Sequence, residues 1–235
     1  MKSKRHESII HFLKTTSYAS VNELADTLFF SRPTIRRDLA ELEKKGIIIR
    51  SHGGASLKNT PNTSVAFDLR TTLQTKEKTL IAKQAVDLIN DGDVVFLDAS
   101  TTVLHMLKFL SGKKNLTIVT NSLQVPLLLR NEEMSVYTTG GKLIPNSLAY
   151  GGPIAEQTID SFHIDKLFFS SYALTKSGEI QDYSDLETSL RKKLLQKCQK
   201  KYFLCDSSKF GRTSVFQVAN LDELDGILSD IPCPF

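Results

Sequence analysis

Short apolar runs separated by helix-like segments recur from residue 91 onward, and they constrain the fold more than any other feature of the chain. A continuous apolar run is typical of a strand that is covered on both faces, as strands of parallel sheets are. The runs lie at residues 94–97, 116–119, 134–138, 167–169 and 202–205. Residues 102–111, 123–130 and 186–200 are predicted to be helices between them. The alternation predicts a mostly parallel sheet and an α/β fold class overall.

The first 57 residues follow a different pattern, in which short amphipathic helices come first. Residues 4–16 place Ile9 and Leu13 on one side of a helix. A second helix opens at Ser20, where Glu23 three positions later completes a capping box. These two helices predict a small helical unit in the N-terminal part of the chain.

A third helix begins at Ser31, which is predicted to be its N-cap, with the hydroxyl accepting a bond from an amide of the first turn. Pro33 falls in that turn, where a missing N–H costs nothing. Ile35 and Leu39 begin an apolar stripe along one side. The helix is expected to end at the lysine before Gly46, because glycine commonly follows a helix C-terminus.

A small hairpin is predicted after the third helix. Residues 47–51 form its first strand, residues 52–54 a tight turn and residues 55–57 the returning strand. Three helices and a hairpin predict a winged helix-turn-helix domain over residues 1–57. This segment has ten Lys and Arg against six Asp and Glu, and the rest of the chain is balanced, so the whole net charge of +4 lies here. Attraction to a polyanion is the simplest use of such an asymmetry.

Polar side chains of the third helix and of the hairpin are therefore candidates for contact with double-stranded operator DNA. In a helix-turn-helix, the N-terminal end of the second helix of the motif meets base edges and phosphates, and a wing can reach phosphate. The candidate DNA-binding residues are Ser31, Arg32, Thr34, Arg36, Arg37, Arg50 and His52. The alternative is a solvated amphipathic helix with ordinary surface charge.

Residues 58–69 are polar and contain a proline, which predicts a linker, with a second domain over residues 70–235. Cys198, Cys205 and Cys233 are odd in number and lack metal-ligand spacing, which predicts free thiols in a cytoplasmic protein. No apolar run approaches the length of a membrane span. We expect no metal, no cofactor and no membrane partner.

The loops after the predicted strands form the second group of candidates, because ligands of open α/β sheets bind beyond the carboxyl ends of the strands. Hydroxyl residues that enter a helix suit phosphate, while carboxylates and an asparagine amide suit sugar hydroxyls. Cationic side chains are candidate phosphate partners. The candidate effector-binding residues are Asp98, Ser100, Thr101, Thr102, Thr120, Asn121, Ser122, Gly140, Gly141, Lys142, Glu187, Arg191, Asp206 and Lys209. The alternative is that Ser, Thr, Asp and Gly occur here as ordinary loop and N-cap residues.

Catalysis finds less support in the sequence. None of the five histidines is adjacent to a plausible nucleophile, and no G-x-S-x-G, P-loop or H-E-x-x-H motif occurs. A carboxylate base at Asp98, Glu187 or Asp206 stays open. We expect a protein that is not an enzyme.

The same residues resemble the DeoR family of bacterial transcriptional regulators. In the N-terminal segment the similarity lies in T-I-R-R-D-L at residues 34–39 and in H-G-G-A at residues 52–55. Further along it lies in L-D-A-S-T-T at residues 97–102, in V-T-N-S at residues 119–122 and in D-S-S-K-F at residues 206–210. The resemblance spans nearly the whole chain.

This resemblance implies a sensor domain with a fold like that of ribose-5-phosphate isomerase. It implies an effector that is a phosphorylated sugar or a related intermediate. The protein would usually repress a sugar-catabolic operon, bind DNA as an oligomer (a dimer or tetramer) and release it when the effector binds. Two alternatives stay open: a sugar-phosphate isomerase with an attached DNA-binding domain, and a regulator whose sensor acts only in oligomerisation.

The chain departs from the usual family pattern at four places. Ser100 stands where a glycine is common, and Ser170-Ser171-Tyr172-Ala173 stand where a glycine-bearing stretch is usual. Arg191 replaces a common lysine, and Phe29-Phe30 replace a usual Gly-Val. The first two departures fall in the predicted sensor loops, and Arg191 falls in the predicted helix at residues 186–200. The fourth departure lies directly before the third helix.

Overall fold

The computed structural model describes residues 2–16, 18–45, 47–51, 53–57, 67–130 and 132–235. The chain divides into two compact units, residues 1–70 and residues 71–235. None of the helices in these described ranges is long and apolar enough to cross a membrane.

The first unit contains three helices and a three-stranded antiparallel sheet. The helices are α1 (Lys2–Thr16), α2 (Val21–Leu28) and α3 (Arg32–Lys44), and the strands are β1 (Tyr18–Ser20), β2 (Ile48–Ser51) and β3 (Gly54–Leu57), in the order β1-β3-β2. Apolar side chains from all three helices and from β2 form one buried core, which includes Ile9, Leu24, Ile35, Leu39 and Ile48. The predicted winged helix-turn-helix is confirmed in this unit.

Strand β1 was not among the predicted elements, because its three residues also look like a simple break between two helices. It pairs antiparallel with β3, with Ala19 opposite Ala55. The pairing explains why residue 54 is glycine: a Cβ there would lie 2.3 Å from the carbonyl oxygen of Ala19 and 2.4 Å from the Tyr18 hydroxyl. The wing is therefore anchored to the segment between α1 and α2.

The two predicted helix caps have different outcomes. At α2, Ser20 and Glu23 form the predicted capping box, with the Glu23 amide donating to the Ser20 hydroxyl at 3.1 Å. At α3, Ser31 has the extended backbone of an N-cap, but its side chain makes no capping hydrogen bond. The Ser31 hydroxyl instead lies 2.8 Å from the Thr34 hydroxyl, so the predicted cap bond is wrong. Helix α3 ends at Lys44, and the predicted stop at Gly46 lies outside the described residues.

The predicted linker is described only at its end. Residues 58–66 lie outside the described residues. Helix α4 (Phe67–Thr72) occupies the last three positions of the predicted linker and continues across the boundary between the two units.

The second unit is built on a six-stranded sheet in which every neighbouring pair is parallel. Its strands are β4 (Val94–Leu97), β5 (Thr117–Thr120), β6 (Ser135–Thr138), β9 (Lys166–Phe169), β12 (Lys200–Leu204) and β14 (Gly226–Leu228), in the order β14-β12-β9-β4-β5-β6. The five predicted strands are confirmed within one or two residues, and so is the parallel arrangement. Cys205, predicted at a strand end, lies just beyond β12.

Helices cover this sheet. They are α5 (Thr75–Asp87), α6 (Thr101–Leu104), α7 (Gln124–Leu128), α8 (Pro153–Ile159) and α9 (Asp185–Lys197), and a 3₁₀ turn at His105–Phe109 follows α6. Val95, Phe96 and Leu97 of β4 are all fully buried, as expected for a central parallel strand with both faces covered. Leu190 and Leu194 of α9 join the same apolar cluster as Phe96.

Smaller strands lie outside the main sheet, and they were not predicted. β7 (Lys142–Ile144) and β8 (Ala149–Gly151) form a hairpin, while β10 (Ala173–Leu174), β11 (Glu179–Asp182) and β13 (Phe216–Asn220) form a second antiparallel sheet. These strands have two to five residues and mixed polarity, so no apolar run marks them. They matter because β11 delivers Asp182 to the end of the main sheet.

The strand order produces a switch point between β4 and β9. The chain runs from β4 outward through β5 to β6 and then returns to the other side of β4 as β9. Loops that leave β4 and β9 therefore diverge, and in open α/β sheets the crevice between such loops is where ligands bind.

Candidate DNA-binding surface and sensor site

Helix α3 separates its apolar and cationic residues cleanly. Ile35, Leu39 and Leu42 are buried against α1 and α2, whereas Arg32, Arg36 and Arg37 are exposed and Thr34 is half-buried. The three arginines lie in the first two turns of the helix, the part that enters the major groove in a helix-turn-helix. The structure thus brings five of the predicted DNA-binding residues together at one helix end: Ser31, Arg32, Thr34, Arg36 and Arg37.

Asp38, the one acidic residue among these arginines, is turned into the domain. Its carboxylate is about 1% exposed, accepts two hydrogen bonds from the Arg5 guanidinium of α1, one at 2.8 Å, and lies 3.2 Å from Nε2 of His6. Burial raises the pKa of Asp38, but the bonds to Arg5 outweigh it and hold the pKa below its ordinary value. The exposed side of this part of α3 is therefore positive, and the negative charge is used to fasten α1 to α3.

Arg50 and His52 were predicted on the wing. Arg50 lies on β2 with its side chain 39% exposed, 3.7 Å from the Glu43 carboxylate, and its amide donates to Glu43 at 3.2 Å. An exposed pair of this kind is worth at most about 1 kcal/mol, so a phosphate could take its place. His52 lies outside the described residues.

A buried ionic network lies at the carboxyl ends of β4 and β9. Arg191 of α9 donates to Asp98 Oδ2 at 3.0 and 3.2 Å, to Asp182 Oδ2 at 2.9 Å and to Glu187 Oε1 at 3.4 Å. All four side chains are at most 6% exposed. Burial lowers the pKa of Arg191, but the charges of Asp182, Asp98 and Glu187 outweigh it, so the pKa lies above its ordinary value. One cation therefore joins three carboxylates, and the formal charges of the four side chains sum to −2.

Asp98 also organises the loops at the switch point. Its Oδ1 accepts from the Ser100 amide at 2.9 Å, and its Oδ2 accepts from the Ser170 amide at 3.2 Å. Because one residue follows β4 and the other follows β9, a single carboxylate links the two diverging loops. Glu187 is held further by the Ser147 hydroxyl at 3.1 Å.

A second cluster next to Asp98 has the opposite sign. Lys78 of α5 is about 4% exposed and donates to the Thr101 hydroxyl at 3.0 Å, and Lys209 donates to the Ser170 hydroxyl at 2.6 Å. Burial raises the pKa of Asp206, but the charge of Lys209, the hydrogen bond from the Ser208 hydroxyl and the charge of Lys78 together outweigh it, so the pKa lies below its ordinary value. The two lysines and Asp206 together carry a net charge of +1.

Four other predicted residues make side-chain hydrogen bonds within the protein. The Ser100 hydroxyl accepts from the Val103 amide at 3.3 Å and so caps α6 itself. The side chain of Asn121 ties the loop after β5 to the Ala99 amide and to the Tyr150 carbonyl, both at 3.1 Å. Thr120 and Ser122 are fully buried and bond to neighbouring backbone, and Thr102 is buried as well. These contacts agree with the alternative interpretation, in which the residues shape the loops.

The remaining candidates lie after β6. Gly140 and Gly141 both have left-handed backbone, with φ of 59° and 106°. A Cβ on Gly141 would approach the carbonyl oxygen of Gly151 to 2.8 Å, which is a packing reason for glycine. Lys142 begins β7 with an exposed side chain. The structure does not bring Lys142 into either charged cluster.

Three residues of the two clusters were absent from the predicted set: Lys78, Asp182 and Ser170. Lys78 lies on an amphipathic helix, where a lysine ordinarily faces solvent, and Asp182 lies on a strand that the sequence did not reveal. Ser170 stands out in the sequence only as a departure from the usual family pattern. In the described part of the chain, no group of three or more His, Cys, Asp or Glu side chains is arranged to hold a metal ion.

A winged helix-turn-helix with exposed arginines, followed in the chain by a parallel α/β unit with a buried polar site, defines a DNA-binding transcriptional regulator with a sensor domain. Two family models match the chain: the DeoR-like helix-turn-helix domain over residues 5–60 and the DeoR C terminal sensor domain over residues 73–231. The chain belongs to the DeoR family of transcriptional regulators, as its sequence predicts.

Curated relatives are similar to this chain over almost its whole length. The L-fucose operon activator of Haemophilus influenzae is 35% identical, covering 98% of this chain and 92% of the relative. The uncharacterized HTH-type transcriptional regulator YulB of Bacillus subtilis is 33% identical, covering 97% and 88%. The HTH-type transcriptional repressor GlcR of the same organism is also 33% identical, covering 97% and 88%. These relatives are all transcriptional regulators.

Solved structures resemble the fold at low identity. eIF2B delta from Chaetomium thermophilum matches with a TM-score of 0.51 and 17% identity, covering 71% of this chain and 60% of that chain. Ribose 5-phosphate isomerase A from Methanocaldococcus jannaschii matches with a TM-score of 0.42 and 18% identity, covering 57% and 53%.

Proposed function

We propose that this protein regulates a sugar-utilisation operon as a repressor that a phosphorylated sugar releases from its operator. The observation that carries the proposal is the division of the buried site into a cationic end, with Lys78 and Lys209, and an anionic end, with Asp98, Asp182 and Glu187. A phosphorylated sugar has the matching division, with two negative charges at one end and neutral hydroxyls along the rest.

Electrostatics determines the orientation that such a ligand would take. Carboxylates repel a phosphoryl group, so we place the phosphoryl group toward Lys78 and Lys209. The carboxylate oxygens of the Arg191 network accept hydrogen bonds, so sugar hydroxyls fit that end as donors. The name of the relative that acts on an L-fucose operon supports a sugar as the controlling chemistry.

On the DNA side, we propose that Arg36 and Arg37 contact base edges or phosphates, that Ser31 and Thr34 contact phosphates or bases, and that Arg32 belongs to the same surface. Arg50 and His52 are proposed backbone contacts from the wing. A helix-turn-helix protein commonly binds two half-sites as a dimer. We therefore propose that the protein is a dimer or tetramer that acts on the chromosome in the cytoplasm. Light scattering of the purified chain measures the size of this oligomer.

The effector half of the proposal is tested with a panel of phosphorylated sugars against the full chain. Free sugars and inorganic phosphate are the controls. A true effector raises the melting temperature and also changes the affinity for DNA, because a ligand can shift DNA binding only through different affinities for the two states. The DNA is obtained by selecting bound duplexes from a random-sequence library. If no phosphorylated sugar changes both quantities, the effector proposal fails while operator binding stands.

Three lysine variants test the location of the phosphoryl group. Lys209→Met removes a charged partner and should weaken effector binding about 10- to 100-fold. Lys192→Met is the matched control, since Lys192 is exposed on α9 and outside the clusters. Lys142→Met tests the third predicted cation, which we expect to have little effect because its side chain is exposed on β7. Equal losses in all three variants would show that only the overall charge matters.

Regulation and catalysis are separated by two assays on the full chain. Transcription from the selected operator in vitro should fall when the protein is added and recover with the effector, whereas an activator would show the reverse. Incubation with pentose phosphates and hexose phosphates should produce no isomer. Turnover in that assay would favour the enzyme alternative.

A further inference from the structure

The turn between α2 and α3 holds an aromatic residue in an unfavourable backbone conformation. Phe29 has φ of 55° and ψ of 43°, and its side chain is 90% exposed. Left-handed backbone at a helix C-terminus is ordinarily occupied by glycine, because a Cβ is strained there and a bulky residue is a genuine outlier. Exposure of the ring gives no burial energy to offset this cost. Both the backbone and the ring of Phe29 are therefore unfavourable for the isolated domain.

The neighbouring Phe30, in contrast to Phe29, has a structural role at this turn. The Arg5 guanidinium lies over its ring, 4.9 Å from the centroid, and Arg5 is in turn bonded to Asp38. The Phe30 amide donates to the Ala25 carbonyl at 3.0 Å, and its side chain is 40% exposed. Phe30 thus packs onto α1, whereas the ring of Phe29 faces solvent.

Phe29 lies next to the part of the domain that meets DNA. It is three residues before Arg32, the first residue of α3, so the two Cα atoms are within about 10 Å. The N-terminal end of this helix enters the major groove when the motif binds. Between Phe29 and Arg32 lie Phe30, whose ring is under the Arg5 guanidinium, and the exposed Ser31. Of the two aromatic rings at this turn, that of Phe29 is much the more exposed, at 90% against 40%.

We propose that Phe29 is a specificity-determining residue that places its ring against the C5-methyl group of a thymine at the edge of the operator half-site. Apolar contact with the thymine methyl is an established way for a side chain to read a base in the major groove. The proposal goes beyond family membership and rests on operator binding through α3. It commits to DNA as the occupant because this exposed ring lies three residues before the first arginine of α3, and a single ring is smaller than the patch that a protein partner needs.

The experiment compares the wild-type chain, Phe29→Gly and the control Phe30→Leu by selection of bound duplexes from a random-sequence library. The wild type should enrich a motif with a fixed thymine that Phe29→Gly does not enrich. Replacing that thymine by uracil, which lacks the methyl group, should weaken the wild type about fourfold and leave Phe29→Gly unchanged. Phe30→Leu should still enrich the thymine and still respond to uracil.

Two further readouts separate a contact from a folding defect. The melting temperature of Phe29→Gly should rise, because glycine tolerates the left-handed backbone. The dependence of affinity on salt should stay the same, because an apolar contact releases no counterions. If Phe29→Gly enriches the same motif with the same affinity, the proposal is overturned and the ring serves a surface other than DNA. If the wild type itself enriches no motif, operator binding fails and this proposal fails with it.

Discussion

His105 provides a direct test of how tightly the sensor domain is packed around its candidate site. It begins the 3₁₀ turn after α6, is about 6% exposed, and its Nδ1 lies 3.2 Å from the Thr79 hydroxyl. Burial, helped by the positive charges of Lys108 and Lys78, lowers its pKa from 6.5 to about 4, against a smaller opposing effect of the backbone at Thr71. The folded protein therefore keeps this imidazole neutral at pH values where the unfolded chain binds a proton.

The pKa of His105 is lower in the folded state than in the unfolded state, so its contribution to stability is fully present above pH 6.5 and is lost as the pH falls toward 4. The loss amounts to about 2 kcal/mol at pH 5 and about 3 kcal/mol at pH 4. Urea unfolding of the full chain, followed by circular dichroism between pH 4 and pH 8, measures the effect. His105→Gln should show a smaller loss than the wild type by this amount.

His163→Gln is the control for the substitution itself, because His163 is exposed. If the wild type and His105→Gln lose stability in parallel from pH 8 to pH 4, the buried neutral imidazole is not responsible and the inference is refuted. If the first unit unfolds separately, the urea curve shows two transitions. The comparison then uses the transition that belongs to the second unit, which contains His105.

Three further changes have defined outcomes. Arg191→Met leaves three buried carboxylates without their common cation and should lower the free energy of unfolding by about 3–5 kcal/mol, measured by urea; a loss below about 1 kcal/mol would contradict the buried network. Asp38→Asn removes the charge that fastens α1 to α3 and should cost about 1–3 kcal/mol, seen as earlier melting of the first unit. Burial raises the pKa of the Cys198 and Cys205 thiols to about 12, so iodoacetamide and peptide mapping should find Cys233 labelled first in the native protein.

The central helices and strands of both units can be predicted from the sequence, because their burial requires apolar residues in a regular pattern. Val95, Phe96 and Leu97 are buried on both faces of β4, and an uninterrupted apolar run is the direct result. β1 and β11 pair mainly through their backbones, which leave no trace in side-chain type. Their existence depends on partners far along the chain, so local sequence does not reveal them.

The residues of the candidate sensor site can be predicted from the sequence mainly where they directly follow a strand. Asp98 and Asp206 follow strands, and the sheet brings their loops to one edge. The partners of Asp98 depend on which strands are neighbours, and β9 returns to β4 only after a long excursion. For the same reason Asp182 could not be predicted, because the second sheet positions it. The seven residues predicted for DNA contact depend less on such long-range pairing, since five of them share one helix end.

The Arg191 network also bears on the order in which the chain can fold during synthesis. Asp98 and Arg191 are 93 residues apart, and β9 and α9 must both be present before the loops at the switch point can close. Chains generally fold domain by domain from the N-terminal end as they leave the ribosome. The helix-turn-helix unit ends at residue 70, so a growing chain can fold helix α3, which we propose binds DNA, well before Arg191 of the buried network has been translated. For that interval, the nascent regulator holds the means to recognise DNA without the buried site that we propose controls it.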